Sequence, residues 1–286
     1  MPQSTSRVKG VEKPWKALGF PKPKSEASSG KLSLIDYEVY SGIELPGTAF
    51  FVRLDGWAFH SVSKSLRFTK PFDKRFLEAL IETTKELFQK FNPTLAYIFS
   101  DEINLLFLKP VNFRRIEKID SIFAAVASSK LTNELARLFK KKKVVAFDCR
   151  CIPLVSRNKK SKRGLILKYL RWRQAECFRN HNNAWAQKVL FRAGLSPRSV
   201  SRKLSGMKTA ELEKLCKKHG IDLSKTPAWQ RWGILLYKQP FLKVGYNPIK
   251  KRRVRVVRHK IVVDTSPKTF MSSEGKRLIE KLIKER

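Results

Sequence analysis

The sequence predicts an α+β fold of the ferredoxin-like, split βαβ kind, followed by a helical and basic C-terminal region. Three observations predict it. Between Phe50 and Phe147 the hydrophobic periodicity switches in the order β-α-β-β-α-β. The two middle strand-like runs are separated only by Ser100, Asp101 and Glu102, which suits a hairpin. Beyond about residue 160 the apolar spacing is mainly helical and the chain becomes dense in lysine and arginine.

Phe50 to Leu54 is a short apolar, β-prone run that stops at Asp55-Gly56, so the first strand is expected to run into a tight turn there. From Asp73 to Phe91, Phe76, Leu77, Leu80, Ile81, Thr84, Leu87, Phe88 and Phe91 recur at helical spacing, with Asp73 placed to cap the helix. Leu95 to Phe99 and Ile103 to Leu108 form the expected hairpin. Ile116, Ile119, Phe123, Val126, Leu131, Leu135 and Leu138 trace a second helix within 112–139, and Val144 to Phe147 reads as the fourth strand. A basic loop (Lys159, Lys160, Lys162, Arg163) then leads to a helical stretch from about Leu165 to Gly194 and smaller helices through His219. Ile234 to Tyr237 and Val254 to Val263 read as late strands, and Glu274 to Lys284 as a terminal helix. The expected organisation is a flexible tail at 1–30, where Pro2, Pro14, Pro21 and Pro23 fall among Lys and Ser, a catalytic domain at 31–160, and a helical and basic region at 161–286.

The chain of 286 residues carries 61 Lys and Arg against 24 Asp and Glu, a formal charge of +37. Such an excess opposes compaction unless a polyanion neutralises it, so nucleic acid is the leading partner. No apolar run approaches the roughly 20 residues that span a bilayer, and no segment reads as a secretory signal, so no membrane association and a cytoplasmic protein are expected. Cys149, Cys151, Cys177 and Cys216 make no pair of Cys-x-x-Cys spacings, which argues against zinc.

In a split βαβ sheet the first strand lies beside the hairpin, so Asp55 and Asp101 can converge at one rim. Two carboxylates brought together repel, and a divalent cation resolves the repulsion. Mg²⁺ takes one or two carboxylates plus waters and phosphate oxygens, the setting of phosphoryl or nucleotidyl transfer on a polymerase-type palm. The plainer reading is that both are turn residues, since Asp is common in turns.

The two corners also read as whole motifs, Arg53-Leu54-Asp55-Gly56-Trp57-Ala58-Phe59-His60 and Ser100-Asp101-Glu102. Lys70-Pro71-Phe72-Asp73, Phe147-Asp148-Cys149-Arg150 and Tyr169-Leu170-Arg171-Trp172-Arg173-Gln174-Ala175-Glu176-Cys177 follow in order. From about residue 49 to 240 the chain resembles the tRNA-His guanylyltransferase family and its 3′-to-5′ polymerase relatives. The resemblance implies that Asp55, Asp101 and the Gly56 carbonyl hold two Mg²⁺ ions, with Glu102 as a neighbour. It implies that Gly56, Trp57, Ala58, Phe59 and His60, with Lys70, Asp73 and Ser100, bind the nucleoside triphosphate. Lys70 and His60 also read as a solvated lysine and a turn histidine, and Asp73 as a helix cap. Arg171, Arg173, Arg179, Asn180 and His181, together with the basic run Lys250, Lys251, Arg252 and Arg253, are candidates for tRNA contact. The helix residues among them are equally readable as packing residues. The implied reaction uses ATP to activate a 5′-monophosphorylated tRNA, after which the 3′-hydroxyl of GTP attacks the activated phosphate. A homo-oligomer, a tetramer in the family, is implied as well.

Two departures stand out. Phe178-Arg179-Asn180-His181 occupies the place of the family's His-Ile-Asn-Asn, a pattern closer to relatives that extend tRNA 5′ ends against a template. Trp57 stands where many members have arginine. A nucleotide cyclase would share the palm but lacks its Gly-Gly-[Asp/Glu]-Glu-Phe run here, and a non-catalytic RNA-binding protein has no need of both Asp55 and Asp101.

Overall fold

The computed structural model describes residues 13–22, 34–156, 158–249 and 251–284. After a one-turn helix α1 (Pro14–Ala17) and a 3₁₀ turn at Leu34–Tyr37, the strands are β1 (Phe50–Trp57), β2 (Leu95–Phe99), β3 (Glu102–Phe107), β4 (Ala146–Pro153), β5 (Ile234–Asn247) and β6 (Arg252–Asp264). They form one antiparallel sheet in the order β4-β1-β3-β2-β5-β6. The first four positions are the split βαβ arrangement. The helices are α2 (Phe59–Ser65), α3 (Lys74–Phe91), α4 (Ile116–Phe139), α5 (Lys159–Arg192), α6 (Pro197–Leu204), α7 (Thr209–Lys218), α8 (Ala228–Trp232) and α9 (Ser273–Lys284). Among the described residues no helix is long and apolar enough to cross a membrane.

Strand alternation divides the core in two. Phe50, Val52 and Leu54 of β1 face α3 and α4, packing with Leu80, Leu87, Phe88, Phe123 and Leu131. Phe51, on the opposite face, packs with Leu106, Tyr169, Leu170, Phe270 and Ile279 beneath α5 and α9. A third cluster, including Ala186, Val189, Leu212 and Cys216, joins α5 to α7.

Several boundaries differ from the sequence reading. β1 does not stop at Asp55 but continues to Trp57, because β3 and β4 supply ladder partners up to Asp55↔Glu102 and Trp57↔Ala146. The residues read as a basic loop at 159–163 are the first turn of α5, which Asn158 caps by accepting from the Ser161 amide. The strand at Ile234–Tyr237 is the root of a long ribbon. Only that part of β5 pairs with β2, whereas its pairing with β6 runs on to Asn247↔Arg252. Residues 13–22, expected within a tail, hold contacts to the region of 34–42, including Phe20 against Tyr40 at 5.1 Å.

A buried polar chain fastens α5 to the hairpin. Tyr169 Oη donates to Asn104 Oδ1 (2.6 Å), Asn104 Nδ2 donates to Glu102 Oε1 (2.8 Å), and Arg173 Nη1 donates to Glu102 Oε2 (3.0 Å). Farther along α5, Gln174 donates to the Trp232 carbonyl and accepts from the Phe270 amide (3.2 and 2.6 Å), tying in the roots of β5 and α9. Arg173 and Glu102 are 5% and 6% exposed. Removing one member of such a pair strands the other charge in the core. Arg173→Ala is expected to lower unfolding stability by about 3–5 kcal/mol, and Tyr169→Phe by about 1–2 kcal/mol, both read from urea unfolding. Equal, negligible losses would show that the chain of bonds does not hold α5 in place.

Candidate active site

Asp55, Gly56, Ser100 and Asp101 meet at one rim of the sheet. Asp55 lies on β1 directly opposite Glu102 of β3, and the Gly56 amide donates to the Asp101 carbonyl (3.2 Å), so the end of β1 is stitched to the hairpin turn. A Cβ on Gly56 would stand 2.8 Å from Asp101 Oδ2 and 2.3 Å from the Phe59 ring, so only glycine admits this approach. Ser100 and Ala58 both hold left-handed backbone, φ 50° and 54°, a conformation that non-glycine residues seldom adopt and that recurs at functional sites.

Burial first, and the Asp55 charge as a smaller contribution, raise the Asp101 carboxyl above its ordinary value, against a 2.9 Å hydrogen bond from Ser100 Oγ. Among the described residues neither Asp55 nor Asp101 takes part in an ion pair. The rim therefore gathers negative charge that no protein cation neutralises. Glu102 differs in being paired: it lines the same cavity, but one of its oxygens accepts from Asn104 and the other from Arg173. No group of three or more His, Cys, Asp or Glu converges for metal binding among the described residues. Two carboxylates and the Gly56 carbonyl nevertheless suit Mg²⁺, which completes its shell with water and phosphate oxygens.

Two cavities open from this rim. One, of about 310 Å³, is lined by Asp55, Ser100, Asp101, Glu102, Arg173 and Asn180. The other, of about 280 Å³, includes Phe59, His60, Lys70, Ser100, Asp101 and Asn180 in its wall. Lys70 Nζ donates to Ser63 Oγ (3.2 Å) at its edge. Asp73 lies in the same wall, but its carboxylate caps α3. It accepts from the Arg75 and Thr69 amides (both 2.8 Å) and from the Arg75 guanidinium, which together outweigh burial and lower its pKa. A direct nucleotide contact from Asp73 would have to displace that cap.

The residues expected to face RNA divide into two groups. Arg179, beside Glu176, and Asn180 are exposed, and Arg171 is half-buried with Nε on the Phe270 carbonyl (2.9 Å). Arg173 and His181 are corrections, since both are buried. Arg173 turns inward to Glu102, and His181 is held between Asn182 Oδ1 (2.7 Å) and Thr226 Oγ1 (2.9 Å), where burial lowers its pKa to about 4 and keeps it neutral at physiological pH. At the ribbon's tip Lys251, Arg252 and Arg253 are exposed, and Lys250 lies outside the described residues. Sequence reasoning missed Asn104, Ser63 and the Trp229-Gln230 wall of the smaller cavity. Asn104 left a signal, a lone amide in an otherwise apolar strand, which marks a buried polar network.

A raised carboxyl means that Asp101 contributes most to the stability of the metal-free protein below its unfolded pKa, near 3.8, and that this contribution is lost as pH rises through the folded value. Asp101→Asn should therefore be more stable than the parent at pH 7 without Mg²⁺, with the gap closing below pH 4, and Mg²⁺ should raise the melting temperature of the parent alone. A variant less stable at pH 7 would mean that the carboxylate is well satisfied without a cation.

The chain is similar in sequence and in fold to known proteins. A family model described as tRNAHis guanylyltransferase matches residues 34–155. The tRNA-His guanylyltransferase of Debaryomyces hansenii is 28% identical over 225 residues, covering 74% of this chain and 82% of its own. The probable enzyme of Drosophila melanogaster is 29% identical over 203 residues, 68% of each chain. The crystal structure of the Saccharomyces cerevisiae tRNA-His guanylyltransferase superposes with a TM-score of 0.58 at 27% identity, covering 67% of this chain and 86% of that one. A bacterial tRNA-His guanylyltransferase-like protein in complex with ATP shares the fold, with a TM-score of 0.67 at 24% identity over 86% of this chain and 95% of that one. In sequence, over the matched region 34–155, and in fold, this chain is similar to the tRNA-His guanylyltransferases.

Proposed function

We propose that this protein is a nucleotidyltransferase that adds G or another nucleotide to the 5′ end of a tRNA in the 3′-to-5′ direction, using GTP and ATP. The observation that carries the reading is the meeting of Asp55 and Asp101 at one rim of the sheet, where a Cβ on Gly56 would crowd the Phe59 ring and the Asp101 carboxylate. The names of the relatives and the excess positive charge support a tRNA substrate.

Asp55, Asp101 and the Gly56 carbonyl hold two Mg²⁺ ions in this reading. When bound, the ions would lower the cost of charge on the attacking oxygen and on the leaving group, which is pyrophosphate when the tRNA 5′-phosphate attacks ATP and AMP when the GTP 3′-hydroxyl attacks the activated 5′ phosphate. Ser100 keeps the Asp101 carboxylate oriented and Arg173 fixes Glu102, so the geometry of the corner is set before substrate arrives. Backbone N–H groups between Gly56 and His60, with the Lys70 ammonium, receive the triphosphate. An oligomer and a cytoplasmic site of action follow from the same reading.

Template dependence is favoured by Phe178, which stacks on Trp232 at 4.9 Å and 6° instead of offering an imidazole. The enzyme then selects the added nucleotide by pairing with the RNA, as in 5′-end repair.

The test is incubation with Mg²⁺, labelled GTP, ATP and 5′-processed tRNA. Asp55→Ala and Asp101→Ala are each expected to abolish lengthening while leaving tRNA affinity within a few-fold, because metal loss removes few phosphate contacts. Wild-type turnover in either variant would overturn the metal assignment, and a cyclic product or binding alone would overturn the reaction. G should be added faster opposite C than opposite A, and equal rates would exclude template dependence.

The ribbon is assigned to the tRNA backbone. Antiparallel register places Arg253 and Arg255 on one of its faces and Arg258 and Lys260 on the other, all exposed. Replacing Lys250, Lys251, Arg252 and Arg253 by Gln is expected to weaken tRNA binding and flatten the slope of log affinity against log salt by roughly one to three units, with GTP affinity unchanged. An unaltered slope in a folded variant would assign the ribbon tip to solubility or subunit contact.

A further inference from the structure

Trp57 is unusual for a tryptophan at the end of a central strand: it is 70% exposed. Among the described residues it makes no ring contact, cation–π contact or side-chain hydrogen bond. Alternation along β1 puts Arg53, Asp55 and Trp57 on one face, so the indole stands two residues, about 7 Å of strand, beyond the catalytic carboxylate. Its neighbour on β4 is Ala146, whose side chain is too small to cover the ring. Trp57 is among the residues expected at the triphosphate, but neither rim cavity includes it in its wall, so that role is left to its backbone N–H, which a substitution of the ring leaves in place.

The segment that delivers Ala146 to this edge is Lys140-Lys141-Lys142-Lys143, four consecutive lysines between α4 and β4. Lys140, Lys141 and Lys142 are exposed, and none of the four enters an ion pair among the described residues. Lys141 Nζ donates to the Ser65 carbonyl (3.0 Å), which holds the turn against the end of α2. Of the two acids that β1 and β4 put on the face of Trp57, Asp148 is bonded by Arg150 (2.8 Å) and Asp55 lies two residues back along β1. The turn leads into Ala146, the register partner of Trp57, so an open π-face and a cationic turn stand at the same end of the β1–β4 pair, the two elements that bind single-stranded nucleic acid, a ring for the base and lysines for its phosphates. Four successive lysines track more phosphates than one triphosphate supplies, which favours a polynucleotide over a free nucleotide.

We propose that Trp57, with the Lys140–Lys143 turn, is a stacking platform for the terminal unpaired nucleobase of an RNA end presented to Asp55. The proposal rests on the nucleotidyltransferase reading for its geometry, but its binding test does not require turnover.

The probe is a 5′-phosphorylated RNA hairpin with one unpaired 5′ nucleotide, compared with the same hairpin blunt-ended and with GTP alone. Loss of one stacked base corresponds to roughly a 5- to 150-fold drop in affinity. Trp57→Ala is expected to show a drop in that range for the overhanging hairpin and little change for the blunt one or for GTP. Trp57→Phe should retain most of the affinity. Of the six tryptophans, Trp57 should account for the fluorescence quenched by the overhang, so quenching should fall in Trp57→Phe. Lys141→Gln with Lys142→Gln should flatten the salt slope by about one to two units. Four results would overturn the proposal: equal affinities of Trp57→Ala and parent for the overhang, equal loss for blunt and overhanging RNA, a loss confined to GTP, or a change of oligomeric mass with RNA affinity intact. Failure of the parent to lengthen any tRNA would overturn the reaction while leaving this binding result to be read independently.

Discussion

The Arg173–Glu102 pair is the contact on which the rest of this molecule depends. It joins a 34-residue helix to the hairpin whose corner carries Asp101, and it does so beneath the reactive rim rather than on the surface. A buried pair of this kind contributes little net stability against an apolar alternative, because both charges must be desolvated. Its consequence is geometric. With Asn104 and Tyr169 completing the hydrogen bonds, Glu102 has one allowed position, and the strand opposite Asp55 is fixed with it.

That pairing occupies one carboxylate of a crowded rim. Asp55, Glu102 and Asp148 face one another across three adjacent strands, and like charges in directly opposite positions destabilise a sheet. Arg173 compensates Glu102 and Arg150 compensates Asp148. Asp55 is left with Asp101 for company, whose carboxyl is raised first by burial and to a smaller degree by the Asp55 charge. Compensating the flanking acids while leaving the central pair without an ion pair concentrates negative potential where the proposed reading puts a divalent cation. Gly56 makes the arrangement possible, since any side chain there would push the two corners apart.

The formal charge of +37 is spread unevenly around this acidic point. Among the described residues Arg253, Arg255, Arg258 and Lys260 of the ribbon and Lys140–Lys143 of the turn enter no ion pair, and the two segments extend from different edges of the same sheet. A long polyanion can reach both, whereas a mononucleotide cannot. Exposed apolar groups are interleaved with the ribbon's arginines, with Tyr246 opposite Arg253 and Val244 opposite Arg255. Such mixing suits a surface that covers nucleotides as well as neutralising phosphates.

Much of this was legible in the chain itself. The periodicities located both helices and all four strands of the palm, because burial of one face imposes a period on the side chains whatever the partner. Asp55 and Asp101 were legible through their corners, and Asp73 as a cap, because turns and caps are local. The extents of β1, β4 and β5 were not, since a strand continues for as long as a neighbour offers its ladder, and that neighbour comes from a distant segment. The same reason hid the inward roles of Arg173 and His181. A basic or imidazole side chain has one sequence signature whether it meets RNA or a buried carboxylate, and only the packing of α5 on the sheet decided which. The sequence thus determined the elements and the local chemistry at their corners. Tertiary structure alone decided which charges are compensated and which are left for a cation, because compensation depends on distances between residues far apart in the chain.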